Sequence, residues 1–328
     1  MTDFQVEKQL VLAYYKALEE AAVENLPAVL DEYCSADLTW HSFYPFDQFC
    51  SCKSVATEFW QPLRQSLTGM QRRMDVFFAG QNSLAMEKDV WVVSMGHLMG
   101  LFDKAWLGIT PTGKLAFLRY CAFHRVVDGQ IVETAMYFDI PHLMVQAGKS
   151  PFQSQSAAHL VQPGPQTHTG LMFKDAQVEE GQRTLSVINA MISDLGQWDN
   201  KLSLEEELAQ TWHDDMIWWG PEGIGATYTI ERYAKQHSGP FRAGFTDRSK
   251  TNHICRLAEG EFGGFFGYPN FTARPTGGFM GLPAYDKPCE FRVIDIYRRD
   301  KDKLAENWVF IDILYFLKQQ GIDLLAHD

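Results

Sequence analysis

The chain has 328 residues, of which 46% are hydrophobic and 21% charged, with a formal net charge of −12. That length exceeds what one core fills, so two domains of about 150 residues are expected, and the apolar content excludes a disordered chain. The acidic balance argues against nucleic acid or an anionic membrane as partner, since both need a basic face.

Residues 4–22 set Val6, Leu10, Ala13, Tyr14, Ala17, Leu18 and Ala21 on one stripe at helical spacing. A short second helix follows with Leu26, Val29, Leu30 and Tyr33 inward and Pro27 in its first turn. Asp37–His41 reads as a short strand. A third helix repeats Val55, Phe59, Trp60, Leu63 and Leu67, and residues 74–139 read as strands, with Trp91, Val93, Met95 and His97 alternating on one face. Asp128-Gly129 is a two-residue hairpin turn, and a final helix ends at Gly148. Residues 150–172, with Pro-Gly-Pro and little apolar periodicity, read as a linker between a domain at 1–149 and another at 173–328. Beyond it the pattern restarts: Val178, Leu185, Ile188, Ile192 and Leu195 form a helix, Leu204, Leu208 and Trp212 a second, Met216–Trp219 a strand, and Ile230, Tyr233 and Ala234 a third helix. Strands then run to Asp312.

The restart is a repeat. Arg298 falls on Arg125, Glu306 on Glu133, Asp312 on Asp139, Gln319 on Gln146 and Gly321 on Gly148, all at one offset (312 − 139 = 173). Helices followed by a run of antiparallel strands, done twice, is an α+β plan. Six cysteines (34, 50, 52, 121, 255, 289) show no paired spacing, and Cys50 and Cys52 stand too close for a metal pair, so free thiols in a reducing compartment are expected. The N-terminal sequence has no signal-peptide pattern and no apolar run reaches bilayer length, which points to a soluble, cytoplasmic protein.

In a plain two-residue hairpin the last two strands of the second copy set Asp295 opposite Trp308, Tyr297 opposite Glu306 and Phe291 opposite Asp312. Asp295, Trp308, Phe310 and Asp312 would then share one face, and Ile294, Ile296, Val309 and Ile311 the other. Two carboxylates among aromatic rings suit a pocket in which desolvation lifts a pKa toward the range of general acid–base work, while capping of backbone or structural water at a sheet end explains the same residues. In the first copy the same register groups Tyr120, Ala122, His124, Glu133, Ala135, Tyr137 and Asp139, with His124 bonded to Glu133. The alanines at 122 and 135 would leave a roomier pocket, with His41 where the second copy has Trp219. His41 and His97 could join a His/Asp pocket. The opposite faces, with Cys121, Phe123, Met136 and Phe138 in the first copy, are too apolar for water and would pack as a pseudo-dimer within the chain. A homodimer of whole chains stays open.

Asp37–His41, Phe59–Arg64, Pro111–Lys114, Arg125–Glu133, Asp139 and Leu143–Gly148, with Trp218–Pro221, Lys287, Asp295, Glu306–Trp308, Asp312 and Leu317–Gly321 in the second copy, resemble the SnoaL-like polyketide cyclases of the nuclear transport factor 2-like superfamily. The resemblance implies two tandem cones, each a curved antiparallel sheet wrapped around N-terminal helices. It implies a cofactor-independent enzyme in which Asp139 or Asp312 is general acid/base for an aldol-type closure of a small hydrophobic or polyketide-like molecule, with no metal. In that reading Asp312 is the base, Asp295 its modulator and His41 a further candidate. Trp218, Trp219, Tyr228, Trp308, Tyr297, Phe310, His97, Tyr120 and Tyr137 would line the pockets. A non-catalytic carrier of a hydrophobic ligand, or a dehydratase or isomerase of the same fold, are the alternatives.

Overall fold

The structure, a computed structural model, describes residues 4–152, 157–158, 162–195 and 202–326. Residues 153–156 and 159–161 of the expected linker, and the side chain of Leu195, lie outside the described residues. The chain divides into two compact units. The first comprises Met1–Pro151, Gln166–Asp175 and Asp323–Asp328, and the second Phe152–Pro165 and Ala176–Ile322. The segment expected to link the domains is thus divided between them. Ala158 pairs with Ala226 and the Trp308 indole donates to the Pro163 carbonyl in the second unit, whereas Leu171 bridges Phe77 in the first. Each attachment satisfies backbone groups that a free linker would leave to water.

In the first unit α1 (Gln5–Glu20) buries Val11, Tyr14, Tyr15 and Leu18 against the sheet, and α2 (Leu26–Tyr33) has proline in its first turn as expected. A third helix, α3, runs through residues 52–66 with a π-turn at Val55–Trp60. The strands are β1 (Cys34–Ser42), β2 (Gln48–Phe49), β3 (Leu67–Gln81), β4 (Val90–Phe102), β5 (Leu115–Val127) and β6 (Gln130–Phe138), followed by α4 (Ile140–Gln146). They order as β2-β1-β6-β5-β4-β3.

The second unit repeats this plan with α5 (Val178–Leu195), α6 (Leu204–Leu208) started by a Ser203–Glu206 capping box, and α7 over residues 230–244 with a π-turn at Ala234–Ser238. Its strands are β7 (Trp212–Trp219), β8 (Ala226–Tyr228), β9 (Phe245–Thr246), β10 (Cys255–Glu259), β11 (Phe262–Pro275), β12 (Cys289–Asp300) and β13 (Lys303–Ile311), and α8 (Ile313–Gln319) closes it. They order as β10-β11-β12-β13-β7-β8, with β9 on β11. Each unit is therefore an α+β cone, its sheet curled around its own helices. One correction applies to both sheets: they are mixed, because β1 lies parallel to β6 and β7 parallel to β13. The first strand enters beside the last, so the chain between them acts as the crossover a parallel pair needs.

The last hairpin departs from the simple register in both units. From Arg298↔Glu306 the pairing jumps to Arg299↔Leu304, and from Arg125↔Glu133 to Val126↔Ile131. Ala305 and Val132 are thus extra residues, β-bulges at the same place in the repeat. A bulge advances one strand by one residue and turns every later side chain to the other face. Asp295 consequently lies opposite Val309 and not Trp308, Tyr297 opposite Asn307, and His124 opposite Thr134 and not Glu133. Met136, Phe138, Val309 and Ile311 join the helix-facing side, as the stacking of Phe138 on Phe59 of α3 at 4.8 Å illustrates.

β11 crosses β12 closely where Gly264 faces Ile296. A Cβ at Gly264 would stand 2.3 Å from the Asp295 carbonyl oxygen, so backbone must move. Gly264→Ala is expected to cost about 1–3 kcal/mol, the usual range for overpacking, in urea unfolding of the whole chain.

Candidate active site

Six positions on β12 and β13 face the helices of the second unit: Val293, Asp295, Tyr297, Asn307, Val309 and Ile311. The matching positions of the first unit are Tyr120, Ala122, His124, Thr134, Met136 and Phe138. Three of these exchanges, Tyr120 for Val293, Met136 for Val309 and Phe138 for Ile311, place larger side chains in the first unit. The guanidinium of Arg72 also enters there, 3.7 Å above the Tyr15 ring and 4.6 Å above that of Tyr120. Tyr120 bonds Ser94 at 2.7 Å, and His124 joins the Tyr15 hydroxyl at 2.7 Å and Thr134 at 2.9 Å. Of the two alanines expected to open the first pocket, Ala122 stands on this face and Ala135 is turned to the other by the bulge.

In the second unit the same face borders a cavity of about 140 Å3. Asp295 lies on its wall, 8% exposed, accepting from Asn307 Nδ2 at 3.2 Å and bonded to the Tyr297 hydroxyl. Burial pushes its carboxyl up to about 7, and the two hydrogen bonds hold it back from going higher. Trp218 of β7 stacks on His237 of α7 at 3.9 Å and 18°. The π-turn that carries His237 sets one more residue into a helical turn, a device that re-aims side chains toward a site. Burial drives His237 down to about 3, so its imidazole is neutral, and its Nδ1 is buried with no partner. His253, just before β10, stacks on Phe265 at 3.9 Å and is likewise lowered to about 3 by desolvation and by the cations of Arg256 and Arg248. Arg242 is clamped by the buried Glu207, with Nη1 to Oε2 at 3.0 Å, and Arg248 lies over the Phe271 ring. One titratable carboxyl, two neutral imidazoles and restrained cations on an aromatic wall can move a proton and steady a negative oxygen. Among the described residues no group of three or more His, Cys, Asp or Glu side chains is arranged to hold a metal ion.

Of the residues singled out from the sequence, Asp295, Tyr297 and Trp218 border this cavity. Asp312 does not. It accepts from the Tyr315 backbone amide as the N-cap of α8 and pairs with Arg292 at 3.3 Å, while that guanidinium stacks on Tyr315 at 3.6 Å. Asp139 repeats the arrangement, capping α4 through His142 and standing 3.9 Å from Arg119. Trp308 and Phe310 are turned to the other face by the bulge, Trp219 pairs beside Trp308, and Tyr228 is 58% exposed on β8. In the first unit His41 meets Glu133 at 3.1 Å, His97 meets Asp75 at 3.4 Å, and Tyr137 stacks on Phe43. Only Tyr120 of the first-unit candidates faces the helices. The sequence reading missed His237, His253, Asn270 and Asn307. The paired Arg298 and Glu306, recurring as Arg125 and Glu133, would have revealed the bulge, since only the shifted register sets them opposite.

Residues 205–320 match the family model of the SnoaL-like polyketide cyclases. Comparison with curated proteins gives no match. Among solved structures, the polyketide-cyclase candidate IdmH from Streptomyces antibioticus is 18% identical over 42% of this chain and 99% of its own, with a TM-score of 0.34. The hydroxylase candidate AclR from Streptomyces galilaeus is 19% identical over 45% and 85%, TM-score 0.35. A nuclear transport factor 2-like protein from Burkholderia xenovorans is 15% identical over 42% and 95%, TM-score 0.33.

Two measurements separate the aspartates. Asp312→Ala removes a helix cap and a buried carboxylate paired with Arg292, so a loss of about 3–5 kcal/mol is expected in urea unfolding. Asp295 behaves oppositely. Its folded pKa lies above the unfolded value, so its contribution to stability is fully present below about pH 4 and is lost as pH rises through about 7. Asp295→Asn, neutral throughout, should therefore melt about 5 °C higher than the parent at pH 8 and close to it at pH 4.

Proposed function

We propose that this chain is a cofactor-independent acid–base enzyme working in its second unit, where residues 205–320 match the SnoaL-like polyketide cyclase model, with Asp295 as its proton-transfer group. The observation that carries the reading is the carboxyl of Asp295, buried on a cavity wall and held near neutrality. A carboxyl with a pKa near the working pH is populated as a base and still able to return the proton. A carrier for a purely apolar ligand gains nothing from such a group, whose desolvation costs free energy. The carrier reading is therefore second.

In the aldol-type reaction, the Asp295 carboxylate takes a proton from a carbon flanked by carbonyl, leaving an enolate. The enolate carbon bonds to a second carbonyl carbon of the same molecule, and the resulting alkoxide takes the proton back from Asp295. Asn307 and Tyr297 keep the carboxyl oriented through these steps. The cavity is small. A space of about 150 Å3 holds benzene in another protein, so about 140 Å3 fits one ring or a short dicarbonyl chain. Trp218 and Phe265 provide flat surfaces for such a substrate.

The test is carbon–hydrogen exchange in D2O, followed by NMR, on small cyclic ketones and β-keto esters. Wild-type exchange should rise with pH to a plateau above about 7, where Asp295 is ionised. Asp295→Asn should lose about a hundredfold or more. Full exchange by Asp295→Asn would overturn the assignment, and no exchange by the wild type with tight ligand binding would favour the carrier.

A further inference from the structure

We propose that His253 is the oxyanion donor of the cavity: its Nε2–H, fixed in that tautomer by Arg256, binds the oxygen on which negative charge develops when Asp295 removes a proton. The inference rests on the acid–base reading of the same site.

The tautomer follows from the donors around the ring. Arg256 approaches His253 Nδ1 with Nη2 at 2.8 Å and Nε at 3.3 Å. A guanidinium has only N–H groups to offer, so Nδ1 must accept and the ring proton must sit on Nε2. Arg256 is itself held from the far side, where Nη1 donates to Asn189 Oδ1 of α5 at 2.7 Å. The lock thus runs from a helix through a cation to the imidazole.

The Nε2 atom that carries the proton is buried on the cavity wall and makes no hydrogen bond of normal geometry. Its protein neighbour is the side chain of Asn270, which favours a proton on the ring and whose own Oδ1 is buried without a bond of normal geometry. An amide oxygen is a neutral acceptor, so a ligand oxygen that gains negative charge is the stronger one and draws the N–H away from Asn270. The placement against Asp295 is fixed by the sheet. Phe265 lies directly opposite Asp295 in the β11–β12 ladder, and the His253 ring stacks on Phe265 at 13°. Base and donor therefore flank one aromatic surface.

The imidazole acts here as a neutral donor. Desolvation, then Arg256 and Arg248, disfavour a second proton on it. Neutrality matters because Asp295 shares the wall: an imidazolium would stabilise the carboxylate and lower its basicity, whereas a neutral N–H strengthens its bond only as the substrate oxygen gains charge.

The experiment uses 15N-labelled full-length protein and 4-nitrophenol, a one-ring acid whose phenolate mimics an enolate. Ring-nitrogen NMR of the wild type should show His253, assigned by its absence in His253→Phe, protonated at Nε2 alone from pH 5 to 8. Saturating 4-nitrophenol at pH 8 should shift Nε2 and its proton more than Nδ1. Arg256→Met should release the lock, giving a mixture of Nδ1–H and Nε2–H forms. His253→Phe, which keeps the stacking on Phe265, should weaken 4-nitrophenolate binding by about tenfold or more. An Nδ1–H ring in the wild type, an Nε2 signal unmoved by the probe up to its solubility limit, or equal binding by His253→Phe would each overturn the proposal. None of these readouts requires turnover. Loss of the acid–base reading, through an active Asp295→Asn, is thus distinguishable from loss of the donor.

Discussion

The side of the second unit that faces its helices is governed by one costly placement, a carboxyl group with little access to water. Asp295 is 8% exposed and its nearest partners are an amide and a phenol, neither of them a cation. Most buried carboxylates of this chain are treated differently. Glu306 faces Arg298 at 2.5 Å, Glu207 is gripped by Arg242, and Asp312 pairs with Arg292. An opposite charge favours ionisation, while isolation in a low dielectric favours the proton. These acids thus stand beside cations, whereas Asp295 has neutral partners and burial pushes its carboxyl up to about 7.

Keeping space beside that group also costs stability. A cavity of about 140 Å3 gives up packing contacts that side chains would otherwise make. In the first unit Tyr120, Met136, Phe138 and Arg72 bring larger side chains to the corresponding interior. Two copies of one backbone thus carry bulkier side chains on this face in the first unit and smaller ones beside a cavity in the second. The difference rests on a few side-chain volumes rather than on topology, since strand order and the terminal helix agree in both.

Much of this was legible in the residues. The constant offset between Arg125–Gly148 and Arg298–Gly321 revealed the duplication, and the helical stripes and turn dipeptides gave the α+β plan, because periodicity and turn chemistry are local properties. Asp295, Tyr297 and Trp218 were singled out and do border the cavity. Asp312, Trp308 and Phe310 were grouped with them through an unbulged register, and a ladder cannot reveal a missing partner from one strand alone. His237 and His253 were out of reach for another reason. A π-turn and a pre-strand loop set their directions, and neither leaves a periodic signature. The carboxylate that caps a helix and the one that faces a cavity also look alike in sequence. Their partners tell them apart, Arg292 and the Tyr315 amide for Asp312 and Asn307 for Asp295.

The single extra residue in each last hairpin makes the strand sensitive to parity. Removing Ala305 alone, or adding one neighbour, would exchange the whole lining of β13 beyond it, presenting Trp308 and Phe310 to the helices and withdrawing Asn307, Val309 and Ile311. Changes of two residues would leave the lining intact and alter only the length of the hairpin tip. Drift in length at this hairpin is therefore confined to even steps wherever the cavity has to persist. An odd step turns the strand inside out without touching a single cavity residue.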